Sequence, residues 1–451
     1  MRKWRNGIMI LCLGILCFAM VSIVTRVITS RFVIERLRIN NGITAFITQD
    51  MASEFNEKTT KKISINWVEM YPFTDSTADK QSNNVFQHLM TKQSVIKNIA
   101  EKKVDSWATN RLAGYGYWVE TGRSVEDMLG WKIVNPRMNL AKTSDGMLYF
   151  VNQKCDVREK AESVAQLAAE AKGNGAQFLY VQTPYKISAY GDTAIRDHLD
   201  HTNEAIDDML GYLRDKGIDT LDLRDQWRDL SDEEYHQLFY RTDHHWRPET
   251  ALQSAGVVAA YMKEHYGLQA DLSHFSQDDY DWQMKEKWFL GSQGKKATLA
   301  RTYPDDFSWG VPNYPTKIHL EIPTLGIDQS GDFSLMLNMS QVEEYSPYHA
   351  VPYDMFLYSD GFNAFTRIEN LALSQCDGQK VLAFTDSYGD PFIPFLSMGV
   401  KEIVKVDLRL FNGSVEKLIE QEQPGIVILL YSAGYNGRIN WDSHLDLYDF
   451  R

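Results

Sequence analysis

From about residue 145 onward the chain alternates short apolar runs with amphipathic stretches of helical period, and that rhythm constrains the fold more than any other feature. Residues 156–173 (DVREKAESVAQLAAEAKG) place apolar side chains at helical spacing and end on glycine. Phe178 to Pro184 reads as a buried strand breaking into a loop, residues 201–216 as a second amphipathic helix, and Thr220 to Leu223 as another strand. The pattern resumes with a strand at 380–385, a helix after Pro391, a strand at 402–408, a helix at 413–422 and a strand at 425–431. Strands alternating with helices imply βαβ units and a mostly parallel sheet. A helix over 249–266, with Pro248 at its first turn, belongs to the same rhythm. Residues 270–375 interrupt it: rich in aromatics, Pro, Gly and Asp and lacking helical period, they read as an irregular, partly β insertion.

The N-terminal part is of a different kind. Arg2, Lys3 and Arg5 precede an apolar run from Gly7 to Val24, followed by Arg26 and Arg31. The run is longer than a typical signal-peptide core and no small-x-small cleavage site follows, so an uncleaved anchor with its remainder outside is the expectation. Residues 27–60 suit a stalk and residues 80–130 are mostly helical in pattern. The 451 residues exceed one ordinary domain, and a formal charge of −13 argues against nucleic acid as a partner, because phosphate backbones call for a basic face. Of four cysteines, Cys12 and Cys17 lie in the apolar run; Cys155 and Cys376 could pair but are expected to stay free.

Two short stretches carry the chemistry. In Arg241-Thr-Asp-His-His-Trp-Arg-Pro248, Asp243 and His245 stand two residues apart, so in an extended segment both side chains point the same way. In Val381-Leu-Ala-Phe-Thr-Asp-Ser-Tyr-Gly-Asp390, an apolar strand ends on Ser387. A neutral hydroxyl needs a base, and His245 could serve if Asp243 fixes its tautomer. The Ser387 N–H is a natural oxyanion donor, with Asn436 in the loop after the last strand nominated as the second. Arg409 and Lys186 follow strand segments and are candidates for substrate binding, with surface salt bridging as the alternative. His244 reads as structural.

Other readings of these residues remain open. Asp243 or Thr242 could simply cap the helix that follows. Asp442 and His444 near the C-terminus form a rival acid–base pair. Asp243, His244, His245 and His236 are metal-ligand types, but adjacent histidines cannot both reach one ion from a regular strand, so no metal or other cofactor is expected.

Asp-His-His-Trp at 243–246 resembles the signature of bacterial DHHW-motif proteins, which are similar to the SGNH-like domains of the alginate O-acetyltransferase group. Trp67 to Phe73 (WVEMYPF) and residues 386–397 (DSYGDPFIPFLS) extend the likeness over roughly 60–440. In that group the Asp-x-His pair precedes the serine, a circularly permuted order relative to ordinary SGNH/GDSL esterases. The order here, Asp243 and His245 before Ser387, is the same. One position departs: Thr385 stands where the usual Gly-Asp-Ser block has glycine, which bears on oxyanion-hole geometry. The resemblance implies an α/β, parallel-sheet SGNH hydrolase-like domain at 141–451 with the insertion at about 270–375. A tip and transmembrane anchor at 1–28 and a helical stalk at 29–140 would precede it. It further implies O-acetylation of a cell-surface or secreted polysaccharide, with acetyl supplied by a membrane-bound O-acyltransferase partner. A carbohydrate esterase using the same residues, or a non-catalytic glycan-binding assembly protein, are the alternatives.

Overall fold

A computed structural model describes residues 133–135, 139–191, 200–299, 301–343, 350–359, 363–373, 379–434 and 447–450. The apolar run before residue 28, the stalk, Trp67 to Phe73, Cys376, Asn436 and the Asp442–His444 pair lie outside them. No helix among the described residues is long and apolar enough to cross a membrane.

Three short antiparallel strands open the described chain: β1 (Ile133–Asn135), β2 (Leu140–Lys142) and β3 (Leu148–Phe150). Among the described residues the main sheet has eight strands. Its parallel part runs in the order β5 (Asp219–Asp222), β4 (Gln177–Gln182), β13 (Ile426–Tyr431), β11 (Lys380–Thr385) and β12 (Glu402–Val406). Period-two alternation decides which way each side chain faces. Ile426, Ile428 and Leu430 of β13 join one apolar core; Val427, Leu429 and Tyr431 join the other. Strands buried on both sides in this way read as unbroken apolar runs, which is why KVLAFT and IVILLY stand out in the sequence.

Helices cover both faces. α1 (Arg158–Gly173), α2 (Thr202–Asp215) and α7 (Val415–Glu422) pack on one. α4 (Pro248–Tyr266) and α6 (Gly389–Leu396) pack on the other. Two short helices, α3 (Asp232–His236) and α5 (Ser292–Ala297), lie in the connections. Pro248 occupies the first turn of α4 as the sequence suggests, but the cap is Arg247, whose side chain makes no capping bond.

The expectation of a parallel sheet needs correction, and the insertion is the cause. β8 (Ile318–Ile322), β9 (Ile327–Gly331) and β10 (Phe365–Asn370) extend the same sheet beyond β12, all by antiparallel pairing. The sheet is therefore mixed. Ile318, Leu320 and Ile322 face the core while His319 and Glu321 do not, the alternation of an antiparallel strand buried on one face. A separate ribbon pairs β6 (Tyr280–Phe289) with β7 (Asp305–Pro312).

At the end of β11 the chain turns into α6. A Cβ placed on Gly389 would lie 2.3 Å from Thr385 Oγ1 and 2.4 Å from Thr385 Cβ, so helix and strand touch through the missing side chain. The threonine at the position of the usual glycine thus packs into space left by a glycine four residues on. Gly389→Ala should cost about 1–3 kcal/mol, the range for overpacking a filled core. Adding Thr385→Gly should recover part of that loss. Urea denaturation of the two single variants and the double variant measures the coupling, and simple additivity would show that the contact does not matter.

Candidate active site

The parallel strands place their carboxyl ends at one edge of the domain, and the chain leaves β4 for β5 on one side but β11 for β12 on the other. Clefts in open α/β sheets form where the winding direction reverses in this way. Ser387 sits there, in the turn between β11 and α6, where the Gly389 N–H donates to the Asp386 carbonyl at 2.9 Å. From Val381 to Asp390 every residue is buried except Ser387, which is partly exposed. Its neighbour Asp386 is fully buried and holds the turn: one oxygen accepts from the Tyr388 N–H (2.9 Å), the other from the Ser432 N–H at the end of β13 (2.8 Å). Burial raises the Asp386 pKa, and the nearby Arg409 charge only partly offsets this. Asp386 is a structural brace.

The Asp243–Trp246 segment lies in a tight loop before α4, closed by an antiparallel bridge between Phe239 and Trp246. It is not the extended segment anticipated. Asp243 and His245 meet because one carboxylate oxygen, Oδ1, accepts both the His245 backbone N–H (3.1 Å) and ring Nδ1 (2.5 Å). A short carboxylate side chain that bonds the backbone two residues on makes this an Asx-type turn. The other ring nitrogen, Nε2, is 2.7 Å from Ser387 Oγ. Acid, base and hydroxyl, separated by 142 residues at the last step, form one continuous chain of hydrogen bonds.

Burial alone would raise the Asp243 pKa. The charges of His244 and His245, the His245 ring bond and the Ser292 N–H outweigh it and hold the carboxyl well below its usual range. The Ser292 N–H reaches Asp243 Oδ2 at 2.6 Å from the start of α5, within the insertion. The approach is close: a Cβ on Gly291 would lie 2.3 Å from Asp243 Cβ and 2.7 Å from the Thr242 carbonyl. The imidazole of His245 is sandwiched, with Tyr353 on one side (ring centroids 3.9 Å, 18° between planes) and His244 on the other (3.9 Å, 36°). Trp246 donates its Nε1–H to the Tyr388 carbonyl (3.2 Å), and the Tyr388 hydroxyl donates to the His244 carbonyl (2.5 Å). Those two bonds tie the loop carrying the base to the turn carrying the serine.

Sequence reasoning missed Tyr353 and the Gly291–Gly294 cradle, where a Cβ on Gly294 would lie 2.6 Å from Thr242 Cβ, all inside the segment read as an irregular, partly β insertion. The glycine pair three residues apart was the available signal. For the two substrate-binding candidates, the salt-bridging alternative fails at Lys186 and holds at Arg409. Lys186 is 1% exposed and makes no surface salt bridge; its Nζ donates into the Asp243 loop. Arg409 forks onto Asp407, with Nε 2.9 Å from Oδ1 and Nη2 2.5 Å from Oδ2. In the loop after β13 the Ser432 N–H is committed to Asp386, while Gly434 lines a pocket together with Phe150, Asn152, Tyr185, His244 and Tyr388. Asp243, His244 and His245 do bring ligand-type atoms within 4.8 Å of one another. Asp243 Oδ1 and both ring nitrogens of His245 are, however, already engaged with each other and with Ser387.

Comparison with known proteins defines the class first: residues 143–287 match the family model described as an SGNH hydrolase-like domain, acetyltransferase AlgX. The chain thus carries an SGNH hydrolase-like α/β domain, and the likeness read from Asp243–Trp246 is the one this model returns. The match ends before Ser387, which reaches the site through the fold. Among solved structures, PatB1 of Bacillus cereus with a sulfonyl adduct aligns at a TM-score of 0.54 and 15% identity, over 69% of this chain and 98% of that one. A DHHW family protein from Eubacterium siraeum aligns at 0.50 and 16%, over 67% and 92%. At such identities the likeness speaks to the fold. No curated protein matches the sequence.

Proposed function

We propose that this chain is a membrane-anchored, extracytoplasmic O-acyltransferase that acetylates a cell-surface or secreted polysaccharide through a Ser387–His245–Asp243 site. The single observation that carries the reading is the unbroken path from Asp243 Oδ1 through both nitrogens of His245 to Ser387 Oγ. In this mechanism Ser387 Oγ attacks the acetyl carbonyl as its proton passes to His245 Nε2, while Asp243 keeps the Nδ1 proton in place. The imidazolium then protonates the leaving group, and an acetyl-serine remains. A sugar hydroxyl next gives its proton to His245, attacks the acetyl-serine and leaves as the acetate ester, restoring Ser387. The SGNH-like acetyltransferase model matched by residues 143–287 supports transfer over simple hydrolysis. The apolar run Gly7–Val24 supports the anchor, and a membrane-bound O-acyltransferase is the acetyl donor that the resemblance implies.

Incubating the full chain with a chromogenic acetyl ester, with and without an oligosaccharide acceptor, tests the reading. Acetylated oligosaccharide is the expected product. Release of acetate alone, whatever acceptor is present, would make the protein an esterase, and no turnover of any ester would favour a glycan-binding role.

A further inference from the structure

Lys186, in the loop after β4, is buried against the Asp243 loop at the edge of the pocket lined by His244 and Tyr388. Its Nζ donates to the Asp243 carbonyl (2.7 Å), the Arg241 carbonyl (3.2 Å) and Gln293 Oε1 (2.8 Å). Three donors thus meet three acceptors. None of these acceptors is a carboxylate, and among the described residues no ion pair holds the ammonium. Burying a cation without a direct counter-ion is costly, and an apolar side chain of the same volume would usually serve packing better. The geometry therefore asks for another reason, and the two carbonyls supply it. They flank Thr242, whose N–H and hydroxyl both donate to Asp305 Oδ2, at 2.7 and 2.6 Å. Asp305 also accepts the Arg241 N–H at 2.9 Å. The turn is gripped through its amides by a carboxylate and through its carbonyls by an ammonium.

We propose that Lys186 is a positioning residue for acyl transfer: by clamping the Arg241–Asp243 turn it fixes the carboxylate that orients His245. This rests on the reading of Ser387, His245 and Asp243 given above. Gln293 belongs to the same device, because it carries the third bond and stands next to Ser292, whose N–H holds the other oxygen of Asp243. The charged groups facing Lys186 are Asp305 at the start of β7, Asp243 and Arg241 in the turn, and Asp145 between β2 and β3, itself bonded to His236. Burial brings the Lys186 pKa down to about 7, against the pull of Asp305 and Asp243. The ammonium so contributes positive charge beside the acid–base pair below neutral pH and loses it as pH rises through about 7.

The test uses the full chain, a chromogenic acetyl ester and phenylmethylsulfonyl fluoride, whose rate of addition to Ser387 reports the nucleophile without a sugar acceptor. Lys186→Met should lower kcat at least about tenfold, with KM within about twofold, and slow the sulfonylation by a similar factor. The midpoint of the pH profile for sulfonylation should move up, because loss of a nearby positive charge favours the protonated imidazole. Lys186→Arg, which keeps the charge, should restore that midpoint. A folded Lys186→Met protein with an unshifted midpoint would overturn the proposal, as would one with kcat within twofold, because a merely structural lysine changes only the amount of folded enzyme. If Lys186→Met does not fold, Gln293→Met decides. A fall of threefold or more in the labelling rate of folded protein supports the clamp, and an unchanged rate overturns it. Ser387→Ala serves as the reference. Unchanged activity there would sink the site reading itself, whereas an inactive Ser387→Ala beside a fully active Lys186→Met would sink only the clamp.

Discussion

Ser387→Ala and His245→Ala should each reduce turnover of an acetyl ester on the order of 10⁴-fold or more, to the same residual rate, and the double variant should be no slower. The expectation follows from the connectivity. Nε2 of His245 is within 2.7 Å of Ser387 Oγ, and the same ring has no other route to Asp243 than its Nδ1. Without the hydroxyl there is nothing for the base to activate; without the base the hydroxyl stays neutral and weakly nucleophilic. Residues that act as one unit lose activity together and not additively. His444→Ala, in contrast, should leave the rate within about twofold. Mass spectrometry supplies a second readout: phenylmethylsulfonyl fluoride should add mass to a peptide containing Ser387 in the wild-type chain and in neither single variant. A folded Ser387→Ala protein with undiminished esterase activity would end the catalytic reading.

The parts of this molecule that were legible from sequence are those whose cause is local. KVLAFT at β11 and IVILLY at β13 are buried on both faces, so their composition alone marks them. The helix over 158–173 declares itself by its spacing and by the glycine at its end. β8, β9 and β10 did not: β8 alternates apolar with polar residues, β9 (IDQSG) is mostly exposed and polar, β10 (FTRIEN) buries Thr366 and Asn370 beside Ile368, and all three sit among prolines and glycines. Their membership in the main sheet is a matter of pairing across the chain, which no short window contains. The same divide runs through the site. The pairing of Asp243 with His245 was visible at a spacing of two, although an Asx-type turn and not a strand brings them together. Lys186 was misread as a surface group because burial depends on what folds over a residue, here the Asp243 loop and α5. Tyr353 and Ser292 touch the site from more than forty residues away, through a segment with no helical period to organise it.

Asp243→Asn should lower kcat about 10³- to 10⁴-fold while leaving the chain folded, and the reason lies in what each carboxylate oxygen already accepts. Oδ1 takes the His245 N–H and the ring Nδ1–H; Oδ2 takes the Ser292 N–H at 2.6 Å. Both sides of the group are acceptors facing donors. An asparagine must turn its NH₂ to one of them. If the NH₂ faces Ser292, two donors meet across a short contact, and the cost is that of a buried, unsatisfied N–H, about 1–3 kcal/mol. If it faces His245, it meets the backbone N–H and forces the imidazole to accept at Nδ1. The ring proton then sits on Nε2, pointing at Ser387 Oγ, and the base can no longer take the serine proton. The side chain is nearly isosteric, so thermal unfolding should show a modest loss while sulfonylation of Ser387 slows by the same large factor as turnover. Labelling at the wild-type rate in a folded Asp243→Asn protein would mean that Asp243 does not set the tautomer of His245, and that its bond to the ring serves only the shape of the turn.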